Sequence, residues 1–172
     1  MHTAADILHS KGRQVWSVAP DILIIEAIRL LAEKEVGALL VMDDEKLVGI
    51  VTERDYARKV ALEGRSSSNS LVREIMSTHV LCARPAQTVQ ECMALMSDKR
   101  ARHLPVVDHK KVIGIISIGD LVKSVIAEQQ FEIEQLQHYI SNYMIFDDES
   151  EWTQPAVRHS TTAATPSAAI SL

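Results

Sequence analysis

Shifting the chain by sixty-five positions, without a gap, lays residues 15–61 over residues 80–126. Pro20 then meets Pro85, Glu26 meets Glu91, Leu30 meets Leu95 and Leu39 meets Leu104. Val41, Asp43, Lys46, Gly49, Ile50 and Asp55 likewise meet Val106, Asp108, Lys111, Gly114, Ile115 and Asp120. Where identity ends character persists, with Ile24, Ile28 and Leu31 facing Val89, Met93 and Met96. This is an internal duplication. A unit of this size is not expected to bury both sides of its sheet alone.

Within the unit, Val15–Val18 reads as a short strand stopped by Pro20, and Ile24–Glu35 as a helix because Ile24, Ile28 and Leu31 share one face. Ala38–Met42 and Lys46–Val51 are short apolar, β-branched runs split by Asp43-Asp44-Glu45, which predicts a hairpin. A helix follows Thr52 to about Leu62. Thr3–His9 is a short helical lead-in that Thr3 can cap, and Leu71–Met76 repeats the role of Ala4–Leu8. The chain therefore divides into a first repeat with its lead-in (1–64), a linker (65–70), a second repeat (71–127), a helical extension (128–146) and a polar tail (147–172) that reads as disordered. In the extension, Ile133, Leu136, Ile140 and Tyr143 follow a three-four-three spacing. That stripe suits either lengthwise packing on another helix or folding back onto its own domain.

Each copy closes on one pattern. Gly49-Ile50-Val51-Thr52-Glu53-Arg54-Asp55 and Gly114-Ile115-Ile116-Ser117-Ile118-Gly119-Asp120 run an apolar strand into a hydroxyl residue with a carboxylate three places on. If Thr52 and Ser117 end strands while Asp55 and Asp120 open helices, each junction offers free backbone N–H groups, a hydroxyl and a carboxylate. A carboxylate can accept from two vicinal hydroxyls, and a helix N-terminus suits a phosphate. The same spacing also describes a capping box that merely starts a helix, and one hydroxyl can do both jobs. Arg58 and Lys123 align one turn into these helices, whereas Arg54 aligns with Gly119, so the two sites are not expected to be equal. Lys99, Arg100, Arg102 and His103 form a basic patch leading into a strand. It is either a solvated face or a phosphate contact through Arg102.

Other functions find little support. A formal charge of -5 and a pI near 5.8 argue against a general nucleic-acid binder. No apolar run approaches the roughly 18 residues needed to cross a bilayer, so no membrane partner is expected. Cys82 and Cys92 lack metal-motif spacing and read as buried thiols, the seven histidines show no ligand spacing, and nothing upstream resembles a secretory signal. A cytoplasmic location is the expectation. No nucleophile with a base, paired-carboxylate arrangement or phosphate-cradling glycine loop is present, so no enzyme, metal or catalytic cofactor is expected.

A strand-helix-strand-strand-helix unit occurring twice, each copy closed by Gly-apolar-apolar-Thr/Ser-x-x-Asp, resembles the cystathionine-β-synthase (CBS) domain pair, or Bateman module. Residues 36–41 with 49–55, and 102–108 with 114–120, carry the resemblance, which covers Thr3–Ala127. It implies an α/β (α+β) fold of two tandem βαββα repeats packed with pseudo-two-fold symmetry, plus the C-terminal helix. It also implies two clefts that hold adenosine compounds such as AMP, ADP, ATP or NAD(H). Asp55 and Asp120 would then take ribose hydroxyls, with Thr52, Ser117 and the nearby basic residues Arg54, Arg58, Arg102 and Lys123 at the phosphates. Val18, Pro20 and Ala38 would line one base pocket, and Ala83, Pro85, His103 and the adjoining Pro105 the other. The family is regulatory and commonly dimeric, so a stand-alone, homodimeric nucleotide sensor with an unidentified protein target is the leading expectation. The alternative is a ligand-free interaction module acting through its C-terminal helix.

Overall fold

The computed structural model describes residues 2–146, and the side chains of 143–146 are left aside; the expected tail at 147–172 and Tyr143 of the stripe lie outside this description. The chain falls into two units, residues 1–133 and 134–172. The described part of the second is the end of one helix.

The elements run α1 (Ala4–Lys11), β1 (Ser17–Val18), α2 (Ile24–Glu33), β2 (Ala38–Asp43), β3 (Lys46–Thr52), α3 (Glu53–Tyr56), α4 (Val89–Lys99), β4 (His103–Asp108), β5 (Lys111–Ser117) and α5 (Ile118–Phe146). The helix expected from Thr52 to Leu62 forms in two pieces, since α3 passes into a π-helical turn over Ala57–Ala61. The segment at Leu71–Met76 is a 3-10 turn, Val72–Glu74.

Both hairpins share one register. β2 pairs with β3 from Ala38↔Thr52 to Asp43↔Lys46, and β4 pairs with β5 from His103↔Ser117 to Asp108↔Lys111, each with an irregularity at the same place, Val41/Met42 and Val106/Val107. The copies differ at the first strand. β1 runs parallel to β2, and the Leu40 amide donates to the Trp16 carbonyl at 3.1 Å. The residue matching Leu40 is Pro105, which has no N–H to give, so Leu81 gains no such bond. Only the Ala83↔Val106 bridge remains, held by the Ala83 amide on the Pro105 carbonyl and the Val107 amide on the Ala83 carbonyl. The result is a three-stranded sheet in one repeat and a two-stranded sheet in the other.

The core forms two clusters, and the lead-in segments are exchanged between them. Ala4, Ile7 and Leu8 of α1 are buried with Ala83, Cys92, Met96, Leu104, Ile116 and Leu121 of the second repeat. Val72 and Ile75, which precede the second repeat in sequence, are buried with Ile24, Leu31, Leu39, Val51 and Val60 of the first. Backbone bonds fasten each crossing: the Ala4 amide donates to the Gln87 carbonyl at 2.8 Å and the Ala5 amide to the Pro85 carbonyl at 2.9 Å. The Val72 amide donates to the Ile22 carbonyl at 3.0 Å and the Arg73 amide to the Pro20 carbonyl at 2.9 Å. Leu8 therefore packs over Gly114 and Met76 over Gly49, where a Cβ would stand 2.5 and 2.6 Å from them. The two repeats are tied together by their own connections, which fixes the boundary where clefts can form.

Candidate functional site

Each strand-to-helix junction is closed by the same set of bonds. The Thr52 amide and hydroxyl both donate to Asp55 Oδ2, at 3.0 and 2.7 Å, and the Asp55 amide donates back to Thr52 Oγ1 at 3.2 Å. The Ser117 amide and hydroxyl donate to Asp120 Oδ2 at 2.7 and 2.8 Å, and the Asp120 amide returns to Ser117 Oγ at 3.3 Å. Both are capping boxes, and α4 carries another at Thr88 and Glu91. Capping is thus a general device of this chain. A binding role must come from what else the junctions face.

What they face is open space at the boundary between the repeats. A cavity of about 250 Å³ is lined by Thr52 and Asp55 together with Ser77, His79 and Leu81 from the crossing segment and Lys99, Arg100 and Arg102 from the opposite repeat. A cavity of about 420 Å³ is lined by Ser117 and Asp120 with Gln14 and Trp16 from the crossing segment and Lys34, Glu35 and Ala38 from the opposite repeat. His103 and Gly37 line both and form the wall between them.

The remaining oxygen of each carboxylate is treated differently. Asp55 Oδ1 meets Lys59 Nζ at 2.9 Å and accepts from Ser77 Oγ at 3.5 Å. Lys11 Nζ, at the end of α1, donates to Asp120 Oδ2 at 2.5 Å, and Asp120 Oδ1 has no hydrogen-bond partner among the described residues. Burial raises the Asp120 pKa, but the bonds from Lys11 and from the Ser117 amide and hydroxyl outweigh it and leave the carboxyl below its ordinary value. Lys11 and Asp120 also border a further cavity of about 610 Å³ that reaches Lys123, so their ion pair partitions the space beside Asp120. Burial lowers the His103 pKa, with Lys11 and Arg102 pushing the same way and Asp120 opposing. Its imidazole is therefore neutral at neutral pH.

Of the residues singled out from sequence, Thr52, Arg54, Asp55, Arg102 and His103 come together at the first cavity. Ser117, Asp120, Ala38 and His103 meet at the second, and Lys123 stands on the far side of Lys11. Arg58 is exposed and lines none of these cavities; its neighbour Lys59 reaches Asp55 instead. Val18, Pro20, Ala83, Pro85 and Pro105 also lie outside the three linings, and Ala83 and Pro105 are buried. Sequence reasoning passed over Lys11, Trp16, Lys34, Lys59 and Ser77. The repeat register pairs Lys34 with Lys99 and Glu35 with Arg100, a signal that was present, but nothing in the spacing links Lys11 to a carboxylate 109 residues away. Burial raises the pKa of both thiols, with Glu91 adding to the effect at Cys92, and no metal-binding cluster occurs among the described residues.

Two copies of one α/β unit, with matched hydroxyl–carboxylate junctions opening on cavities at their boundary, define a class of tandem-repeat module with inter-repeat clefts. The family model described as "CBS domain" matches residues 4–62 and 72–127, and the chain belongs to that family. It is 37% identical over 148 residues to the mitochondrial CBS domain-containing protein CBSX3 of Arabidopsis thaliana, covering 80% of this chain and 71% of that one. Among solved structures it is similar to a CBS-domain protein of Burkholderia ambifaria, described as a signal-transduction protein. That match has 55% identity and a TM-score of 0.73, and covers 74% of this chain and 96% of the other. It is also similar to the CBS domain pair of protein MJ0100 in complex with 5′-methylthioadenosine and S-adenosyl-L-methionine, at 27% identity, a TM-score of 0.65 and coverage of 74% and 98%. No helix among the described residues is long and apolar enough to cross a membrane.

Proposed function

We propose that this protein is a non-catalytic, cytoplasmic regulator that binds adenosine-containing ligands, of the class AMP, ADP, ATP or NAD(H), in the two clefts. The observation that carries this reading is the duplicated junction: the same hydroxyl–carboxylate box opens on a cavity at the repeat boundary twice. The adenosine compounds held by the MJ0100 pair support the ligand class. Asp55 and Asp120 take the ribose hydroxyls, while Thr52, Ser117 and the α3 and α5 N-termini lie on the phosphate side. Because each cleft joins two repeats, a ligand favours whichever arrangement gives it better contacts, and that difference in affinity is the signal. The output is a change in shape or in affinity for a protein target.

Association as a homodimer belongs to the same reading. Ile118, Val122 and Ile126 of α5 are exposed, as are Leu136 and Ile140, and a second copy would cover such surface. Light scattering that returns the monomer mass of 19.1 kDa would remove the dimer from the proposal. The same stripe favours a second reading, an interaction module whose clefts stay empty.

Titration calorimetry and melting curves with AMP, ADP, ATP, NAD and NADH separate the two readings. A ligand at about a hundred times its dissociation constant adds roughly 2.7 kcal/mol of stability. Asp55→Ala and Asp120→Ala should each weaken binding at their own cleft about tenfold or more, because a charge-assisted bond is lost. If both variants melt lower by about 1 kcal/mol while binding like the parent, the carboxylates are caps alone. If no ligand shifts the melting curve, the interaction module stands.

A further inference from the structure

The two clefts are built on one plan, but one pair of equivalent positions carries opposite charges and two more set an arginine against a glycine. Arg100 ends α4 in the left-handed conformation at φ 53°, and Glu35 holds the same place after α2 at φ 51°. Arg102 faces the first cleft where the second has Gly37, and Arg54 faces it where the second has Gly119. Arg100 and Arg102 have no acidic partner among the described residues, and Arg54 is tied only to a backbone oxygen, its Nη1 donating to the Arg100 carbonyl at 3.0 Å. The first cleft also holds Glu53, where the second repeat has Ile118, but its three guanidinium groups outnumber the carboxylates of Glu53 and Asp55 and keep donors to spare, the geometry that grips a phosphate.

In the second cleft every cation is already engaged. Lys11 is on Asp120 at 2.5 Å; Lys34 is on Glu33 at 2.6 Å and sits over the Trp16 ring, 4.5 Å from its centroid. A phosphate entering there would meet Glu35 and would have to draw Lys11 away from Asp120. An uncharged ligand meets neither obstacle. Trp16, packed against the first core with Lys34 over its ring, lines that cleft, and Asp120 Oδ1 offers an open acceptor.

We propose that the clefts sort ligands by charge, the one beside Asp55 taking a phosphorylated nucleotide and the one beside Asp120 an unphosphorylated nucleoside. The assignment rests on the adenosine reading above and narrows it: the second cleft keeps the adenosine and the ribose contact to Asp120 but not a ligand phosphate beside Ser117. A cell component that differs only in its phosphate is then read at a different end of the same module, and the shared wall of Gly37 and His103 borders both ligands.

Trp152→Phe leaves Trp16 as the one tryptophan and therefore as a reporter of the second cleft. In that protein adenosine should shift Trp16 emission, and AMP should not, at concentrations that saturate it by calorimetry. Arg100→Glu with Arg102→Gly copies the second cleft into the first at two exposed positions, and Glu35 shows that the left-handed backbone accepts glutamate. That double variant should weaken AMP about tenfold or more and leave adenosine unchanged. Glu35→Arg should let AMP move Trp16 emission. Inorganic pyrophosphate tests the charge alone, and its binding should disappear in the double variant. AMP and adenosine shifting Trp16 alike, or AMP and pyrophosphate binding the double variant like the parent, would overturn the sorting while leaving the adenosine reading intact. Adenosine and AMP both failing to bind would sink the adenosine reading and the second-cleft assignment with it, and pyrophosphate alone would then report on the first.

Discussion

Glu35 and Arg100 follow the same helix in two copies of one unit, share a left-handed backbone within two degrees, and carry opposite charges. Elsewhere, Leu8 and Met76 cover Gly114 and Gly49 in the same manner and are both apolar. The contrast separates two kinds of position. Where a side chain fills the space over a strand glycine, packing density limits it to an apolar group of similar size. Where it faces a cleft, only the backbone conformation is constrained, and the charge is free to diverge.

The core half of that contrast is broken most sharply at Leu8. It is buried, with 1% of its surface accessible, and Leu8→Ala should cost about 2 to 5 kcal/mol in chemical denaturation, whereas Met76→Ala, at a half-buried position, should cost less. Equal losses would mean that the exchanged lead-ins are anchored alike. The next effect is smaller: a Cβ at Gly114 meets the branched end of Leu8 at 2.5 Å, so Gly114→Ala should lose about 1 to 3 kcal/mol, and Gly49→Ala less because the Met76 chain can swing aside. Melting curves of the pair decide it.

Titration sharpens the cleft half. His103 has its folded pKa below its ordinary value, so the unfolded chain binds the proton first. Stability should therefore fall as pH drops below about 6.5 toward the folded value. Asp120 is also lowered but is a carboxylate, so its contribution is present above about pH 3.9 and is lost only as the carboxyl protonates below that. Denaturation midpoints across pH 3 to 8 should show the first loss vanish in His103→Asn while the second persists. The smallest expected effect is at Lys11→Met. Its ion pair with Asp120 is partly exposed, with 32% and 20% of the side-chain surfaces accessible, so removing it should cost about 1 kcal/mol or less. By calorimetry, adenosine should bind the second cleft more tightly once Asp120 is released, and AMP affinity at the first should not change. A weaker adenosine complex would show that Lys11 supports the ligand instead of competing with it.

Much of this molecule was legible because repetition and periodicity are local signals. The sixty-five-residue register, the hairpins at residues 38–52 and 103–117, and the boxes at Thr52–Asp55 and Ser117–Asp120 all rest on neighbours within one element or one turn. The shortened first strand of the second repeat was legible in principle too, since Pro105 stands where Leu40 supplies an N–H. The expectation that Arg58 brings positive charge to the phosphates rested on alignment with Lys123, and Arg58 lines none of the three cavities. Lys59, four residues after Asp55, is the one that reaches it.

The exchange of lead-ins was not legible, because α1 and Leu71–Met76 look alike and either could pack on either repeat. The chain runs eight positions from Leu8 to Trp16 but five from Met76 to Leu81, and only the folded path shows that the longer connection carries Lys11 to Asp120. Sequence alone therefore determined the repeated unit, its strands and caps and the charges available to it, all of which depend on residues close along the chain. The tertiary structure decided which repeat each lead-in completes, that Arg54 and Arg100 meet, and that Lys11 occupies one carboxylate and not the other. Those choices depend on how two similar surfaces close on each other, and the spacing within either copy does not record that.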